Sequence, residues 1–384
     1  MFLLSMRILL SCAELGLGHV SRLRPLGKML ERKGYELFFF SGGIAYQLLR
    51  KDFKNVYPCT PVGWYENAHG IITSASFLNI LIPLPCRHDE RSKIQIKNST
   101  AMETIHRYYD LRGRIRKIRP DLIISDGDIH ALRLAHKWAV PSVYIANIIR
   151  PSYDFSPLLI PGERLTERYV KYSSKIIVPD NPPPYTVCEY NLGDLDAIGV
   201  MNKVEFVGSF LDMNPVEGSE EYIFAPISGP LGTRATLKQK IFPVLKNLEM
   251  KSIIGLGEPV NKYRTRTGNC EIYSWLSAKE RQECMRNSEM VIFSGGHITC
   301  LETIKYAKPS VCIPTQSEQT GNARKMQDLN CSIIAQNEEQ LKSAIKRIED
   351  RKQFYQSHVK MVSNYSSKFK GLENAVAVIE GLVR

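Results

Sequence analysis

The chain has nine cysteines but no Cys-x-x-Cys pair, and the odd total cannot be fully paired. Both points argue against a zinc knuckle and a secreted disulfide framework, and a reducing compartment is expected. No stretch reaches the roughly 18–20 consecutive apolar residues that a membrane-spanning helix needs. The opening Met-Phe-Leu-Leu-Ser-Met-Arg-Ile-Leu-Leu-Ser is apolar enough to suggest a leader, yet Arg7 interrupts it and a glycine turn follows at once. A first buried strand is the expected reading. Internal repeats and low-complexity tracts are missing. So is a complete Gly-x-Gly-x-x-Gly fingerprint: Ser21 stands where its third glycine would be, and no ribose-binding acid follows the second strand. A nicotinamide role is set aside on that ground.

What the chain does contain is the makeup of a soluble enzyme. At 384 residues it exceeds the usual single core, so two domains are expected. Hydrophobic residues make up 43% and charged residues 23%, ordinary values for a globular protein. The formal charge of +12 includes one dense spot, Arg107, Arg112, Arg114, Arg116, Lys117 and Arg119. Such a spot reads either as a solvated face or as a landing place for an anionic ligand or lipid.

The order of apolar runs predicts two alternations of strand and helix. In the first, strands are expected at Arg7–Ser11, Glu36–Ser41, Leu122–Ser125 and Ser142–Asn147. Helices are expected at Arg22–Lys33, from Ile44, at Met102–Ile118 and at His130–Trp138. In the second, strands are expected at Tyr222–Ala225, Ser252–Leu256, Ile272–Trp275, Met290–Phe293, Ser310–Ile313 and Ser332–Ala335. Unbroken Ile/Leu/Val strands separated by helices signify parallel sheets covered on both faces. The expected fold is therefore α/β with two Rossmann-like domains. Residues 1–208 form the first, 209–221 a Pro/Gly-marked linker, 222–352 the second, and 353–384 a helical tail that needs a surface to pack on. The segment Gly70–Pro85, with cations from Arg87 to Lys97, reads as core or as an element that dips into an anionic bilayer.

Chemistry concentrates in Val291–Asn322. A buried strand runs into Ser294-Gly295-Gly296, then into a helix start at His297-Ile298-Thr299, and a second strand ends in Glu318-Gln319-Thr-Gly-Asn322. A glycine turn feeding a helix N-terminus leaves backbone N–H groups unpaired and so makes a seat for phosphate. Glu302 can turn its carboxylate toward a sugar hydroxyl. In the first half, Gly16-Leu-Gly18-His19 opens a helix after strand one. A histidine there can take a proton from an attacking hydroxyl near neutral pH, or simply cap and pack. Asp126, at the end of a buried strand, can orient His19. With Asp128 it also forms an Asp-x-Asp of the metal-holding type, although two carboxylates rarely suffice for an ion. Ser228, Gly229 and Gly232 form an opposing loop. Trp275 and Leu276 either cover a flat base or pack into the core.

These motifs resemble the GT-B fold glycosyltransferases, in particular the MurG group of UDP-N-acetylglucosaminyltransferases and its archaeal relatives. The resemblance rests on Gly16-x-Gly18-His19, on Ser294-Gly295-Gly296 with Thr299 and Glu302, and on Glu318-Gln319-x-Gly321-Asn322-Ala323. It implies two sheets facing across a cleft. Gly296, His297, Ile298 and Thr299 would then face a diphosphate, Glu302 the ribose hydroxyls, Gln319 and Asn322 the donor sugar, and the backbone near Leu276 a uracil. Asn147 falls near a polar residue that the group uses. Ser228-Gly-Pro230 departs from the usual Gly-Gly-Ser, and no arginine follows Val207-Gly208. The implied activity is inverting, metal-independent transfer from a UDP-sugar to a hydroxyl acceptor, with lipid-linked acceptors included. No cofactor and no nucleic-acid partner is expected, and the expected location is the cytoplasm or the inner face of the membrane. Two other readings are a UDP-N-acetylglucosamine 2-epimerase and a noncatalytic sugar-nucleotide-binding subunit.

Overall fold

The computed structural model describes residues 6–13, 18–60, 65–67, 70–72, 88–89, 94–95, 101–150, 160–214, 216–229, 231–258 and 262–383. Its frame is a pair of seven-stranded sheets. Strand Arg7–Cys12 carries Ile8, Leu9 and Leu10, all fully buried, so both faces of the sheet are covered, as a parallel arrangement requires. Its neighbours are Glu36–Ser41 on one side and Leu122–Asp126 on the other. Beyond these lie Val56–Pro58 at one edge and Ser142–Ile145, Lys175–Val178 and Val204–Phe206 at the other, all parallel. The chain order reverses between Arg7–Cys12 and Leu122–Asp126, and in open parallel sheets the crevice at such a switch point is where ligands sit.

The second sheet repeats the plan. Its order is Arg264–Thr267, Cys270–Tyr273, Ser252–Gly255, Tyr222–Pro226, Ser288–Phe293, Ser310–Cys312 and Ser332–Ile334, with only the first strand antiparallel. Here the switch point lies between Tyr222–Pro226 and Ser288–Phe293, so the loops after those strands border the crevice. The expected α/β architecture of two Rossmann-like sheets is what the chain adopts. The Arg264–Thr267 strand was invisible to hydrophobic pattern because every one of its residues is exposed. Lys175–Val178 and Val204–Phe206 were missed because each is a single short run.

The tail is two helices rather than one. Lys352–Ser366 places Val359 and Val362 on the second sheet's core. Gly371–Val383 packs Ala375, Val376 and Ile379 into the first sheet's core beside Leu23, Leu26 and Leu30. Full burial of an aliphatic side chain of that kind contributes about 1.5–3 kcal/mol. The return path is tight: a β-carbon on Gly371 would stand 2.0 Å from the Ser209 carbonyl oxygen.

The dense basic spot lies on helix Ala101–Ile118 and, at Arg119, just past its end, and it is not simply a solvated face. Arg107 is fully buried and paired with Asp128 at 2.9 Å. Arg114 lies over the Tyr57 ring, 5.0 Å from its centroid. Among the described residues no helix is long and apolar enough to cross a membrane. Most of Gly70–Lys97 falls outside the described residues.

Candidate functional site

Helix Gly18–Arg32 starts four residues earlier than its apolar pattern suggested, which puts His19 and Arg22 on one face at i, i+3 spacing. Strand pairing sets Asp126 beside Cys12 at the carboxyl ends of the two switch-point strands. There His19 Nδ1 meets Asp126 Oδ1 at 2.6 Å. The His19 side chain is 23% exposed while Asp126 is fully buried. One ring nitrogen is therefore engaged on the inside. Arg22 grips the same carboxylate through Nε to Oδ2 at 3.0 Å and Nη2 to Oδ1 at 2.7 Å. Burial pushes the Asp126 carboxyl up, but the charges of Arg22 and His19 and their hydrogen bonds outweigh it and hold the group below its ordinary range. It stays an acceptor at neutral pH.

Asp128 turns the other way. Its carboxylate accepts from Ser11 Oγ, from Arg107 Nε at 3.1 Å and Nη2 at 2.9 Å, and from the His130 backbone N–H at 3.0 Å, where it caps helix Ile129–Lys137. The two carboxylates of Asp126-Gly-Asp128 thus answer to separate arginines.

Across the cleft, Gly295 has φ +89°, and a β-carbon on it would meet the Gln319 carbonyl oxygen at 2.7 Å, so glycine is required there. Helix His297–Lys305 has Gly296 as its N-cap with no side-chain capping bond, and space opens beyond Gly296. The first turn of this helix thus has no side-chain cap, which is what the reading of the motif as a seat for phosphate requires. A β-carbon on Gly18 would lie 3.8 Å from Ile298 Cδ1, which brings the two helix starts face to face. Thr299 and Glu302 share Arg281: its Nη2 donates to Thr299 Oγ1 at 3.3 Å and to Glu302 Oε2, and its Nε lies 3.4 Å from Oε1. The Glu302 side chain remains 17% exposed. Ser228 and Gly229 (φ +103°) follow strand Tyr222–Pro226 at the opposite side of the switch point. Trp275 and Leu276 are half-buried after strand Cys270–Tyr273, and Leu276 packs over Gly255. Gly16 lies outside the described residues.

Three side chains are placed differently from the sugar and diphosphate contacts implied for them. Asn322 is fully buried, donating to the Gly295 carbonyl at 3.0 Å and accepting from Asn191 at 2.8 Å, so it pins the glycine turn. Gln319 is 3% exposed and its Oε1 accepts from the Thr315 N–H and hydroxyl, both at 3.0 Å. His297 is also buried, its Nε2 2.9 Å from Asp180 Oδ2 and its Nδ1 without a hydrogen-bond partner. Polar side chains that follow a tight turn in a domain-contact zone are drawn to neighbouring protein groups, because an unpaired buried polar atom is costly.

Among the described residues one trio of metal-ligand types converges, Asp180, Cys188 and His297, all buried and with donor atoms within 4.8 Å of one another. Asp180 Oδ2 already accepts from the Cys188 N–H at 2.9 Å and pairs with His297. Burial, with the Asp180 charge adding, pushes the Cys188 thiol well up. Asp180 thus ties Cys188 and His297 together between the two halves, with His297 Nδ1 left without a partner.

Arg22, Gly127, Asn191, Asp180 and Arg281 were not found by pattern. Arg22 had a signal in its i+3 spacing from His19 once the helix start is correctly set. The others depend on contacts across the chain.

The C-terminal region matches the glycosyltransferase family 28 C-terminal domain over residues 237–375. An uncharacterized glycosyltransferase of Methanosarcina mazei is 24% identical over 389 residues, which covers 95% of this chain and 96% of the relative. The crystal structure of the glycotransferase of kitacinnamycin superposes with a TM-score of 0.69 at 14% identity, covering 99% of this chain and 100% of that one. Acinetobacter baumannii MurG superposes with a TM-score of 0.60 at 11% identity, covering 98% and 100%. The chain is a glycosyltransferase of the GT-B fold, similar to MurG and carrying a family 28 type C-terminal domain.

Proposed function

We propose that the protein transfers a sugar from a UDP-sugar to an acceptor hydroxyl, with inversion and without a metal. The observation that carries this reading is the 2.6 Å contact between His19 and Asp126, opposite the uncapped start of helix His297–Lys305. The acceptor hydroxyl gives its proton to His19 Nε2 and attacks the anomeric carbon from the face opposite the diphosphate. Asp126 holds the ring with its proton on Nδ1 and steadies the imidazolium that forms. The N–H groups at Gly296–Thr299 and the helix dipole receive the charge of the departing diphosphate, the task a metal performs elsewhere. Glu302 accepts from the ribose hydroxyls, and the loop at Ser228–Gly229 closes on the other side. The acceptor class includes lipid-linked alcohols at an anionic membrane face, and the proposed location is cytoplasmic.

The test is a thermal-shift panel of UDP-, GDP- and dTDP-sugars, followed by transfer assays with the best binder in excess EDTA. Transfer that persists supports the reading. Transfer abolished by EDTA and restored by Mn²⁺ overturns its metal-free part. A donor altered without any acceptor, with epimerised sugar as product, overturns the transfer itself.

A further inference from the structure

Arg22 is only 6% exposed, and its guanidinium reaches three side chains, Asp126, Asn147 and His19, the last with Nη2 3.1 Å from Nδ1. Nε and Nη2 hold Asp126, while Nη1 donates to Asn147 Oδ1 at 3.1 Å. Asn147 in turn donates through Nδ2 to Glu318 Oε1 at 3.1 Å, in the other half of the molecule. Asn322, which pins the Gly295 turn, donates to the same Glu318 oxygen at 3.3 Å. A continuous set of hydrogen bonds therefore runs from His19 through Asp126, Arg22, Asn147 and Glu318 to the turn that opens the anion seat.

We propose that Arg22 is a positioning residue that sets the His19–Asp126 pair and, through Asn147 and Glu318, ties its alignment to the donor-side turn. The inference rests on the reading of His19 as the proton acceptor. The physical reason lies in the guanidinium's fixed fork. Nε and Nη2 fix the plane of the Asp126 carboxylate, so that Oδ1 faces His19 Nδ1 at 2.6 Å. That contact is shorter than the 3.1 Å from Nη2 to Nδ1, the Nη2 hydrogen goes to Oδ1 at 2.7 Å, and the ring keeps its proton on Nδ1. Nε2 is then left bare toward the cleft. The third nitrogen is committed to Asn147, so separation of the two halves pulls on the same group that orients the dyad. A lysine has three N–H donors on a single nitrogen and lacks the planar fork that fixes the carboxylate plane while another nitrogen reaches Asn147.

Two assays decide it. In long-range ¹⁵N–¹H spectra, with His19 assigned by the signal lost in His19→Gln, the natural protein shows one Nδ1–H tautomer and Arg22→Gln shows a mixture. In donor turnover, Arg22→Gln lowers kcat roughly ten-fold or more, as misaligned catalytic groups do, while KM for the donor changes by less than about three-fold. Should Arg22→Gln fail to fold, Arg22→Lys, which keeps the charge and gives up the fork, is read in both assays with the same expected direction. An unchanged single tautomer in a folded Arg22 variant overturns the proposal. So does a kcat that falls only with the folded fraction. If the natural protein turns over no sugar nucleotide, the transfer reading fails, and the tautomer assay, which needs no donor, still decides the role of Arg22.

Discussion

Gly127 and His19 fit against each other with no room for a methyl group between them. Gly127 holds φ +75°, and a β-carbon on it would stand 2.7 Å from His19 Cε1 and 3.0 Å from Nδ1. The glycine does two jobs: it turns the chain between Asp126 and Asp128, and it leaves space for the imidazole to reach Asp126.

Gly127→Ala is therefore expected to injure catalysis more than folding. The left-handed backbone costs an alanine about 1–2 kcal/mol. Pushing the ring aside by even about 1 Å lowers turnover on the order of 100-fold. Steady-state kinetics with nucleotide titration checks this: kcat falls, and nucleotide affinity, which the proposed reading assigns to the other half of the cleft, is retained.

Glu302 governs nucleotide affinity on the proposed reading. A hydrogen bond to a charged group contributes about 1.5–3 kcal/mol. Glu302→Ala should accordingly weaken UDP binding by roughly 10- to 100-fold in calorimetric titration. Unaltered UDP affinity in a folded variant removes Glu302 from the ribose site.

Arg107 and Asp128 give a pH-dependent test of the frame beneath the dyad. Burial raises the Asp128 carboxyl, but Arg107 first, then His130 and Ser11, bring it below its ordinary value. With a depressed folded pKa, its stabilisation is present in full above about pH 4 and is lost as pH falls further. Arg107→Met leaves a buried charge alone and costs about 3–5 kcal/mol at neutral pH. Burial then raises the Asp128 carboxyl from its folded value in the natural protein, so the deficit is smaller at about pH 5 than at about pH 7. Urea unfolding of both proteins at the two values measures it, and an equal deficit at each contradicts the account.

Ile379 reports on the returning helix. It is fully buried in the core of the first sheet, although it lies far along the chain from that sheet. Ile379→Ala should destabilise by about 2–5 kcal/mol. Nucleotide affinity should be unaffected, because the proposed anion seat belongs to the second sheet.

The two sheets were legible because their central strands are unbroken Ile/Leu/Val runs, and Ile8–Leu10 and Val291–Phe293 could be little else. The turn at Ser294–Gly296 was legible because glycine conformation and an uncapped helix start are local properties. The partners of His297 and Asn322 were not legible, since Asp180 and Asn191 meet them only once the halves are assembled; Gln319 instead turns back on Thr315, four residues before it, a local contact that leaves no mark in the pattern. The all-exposed strand Arg264–Thr267 pairs through its backbone, which leaves no periodic trace in its side chains. Arg107 hid within a run of cations because charge counting cannot tell a buried ion pair from a solvated face.

The most direct test is His19→Ala, assayed with the sugar nucleotide that the thermal-shift panel selects. The account predicts UDP affinity close to that of the natural protein and turnover lower by roughly 10²- to 10⁴-fold, the usual worth of a general base. Turnover equal to that of the natural protein would contradict it.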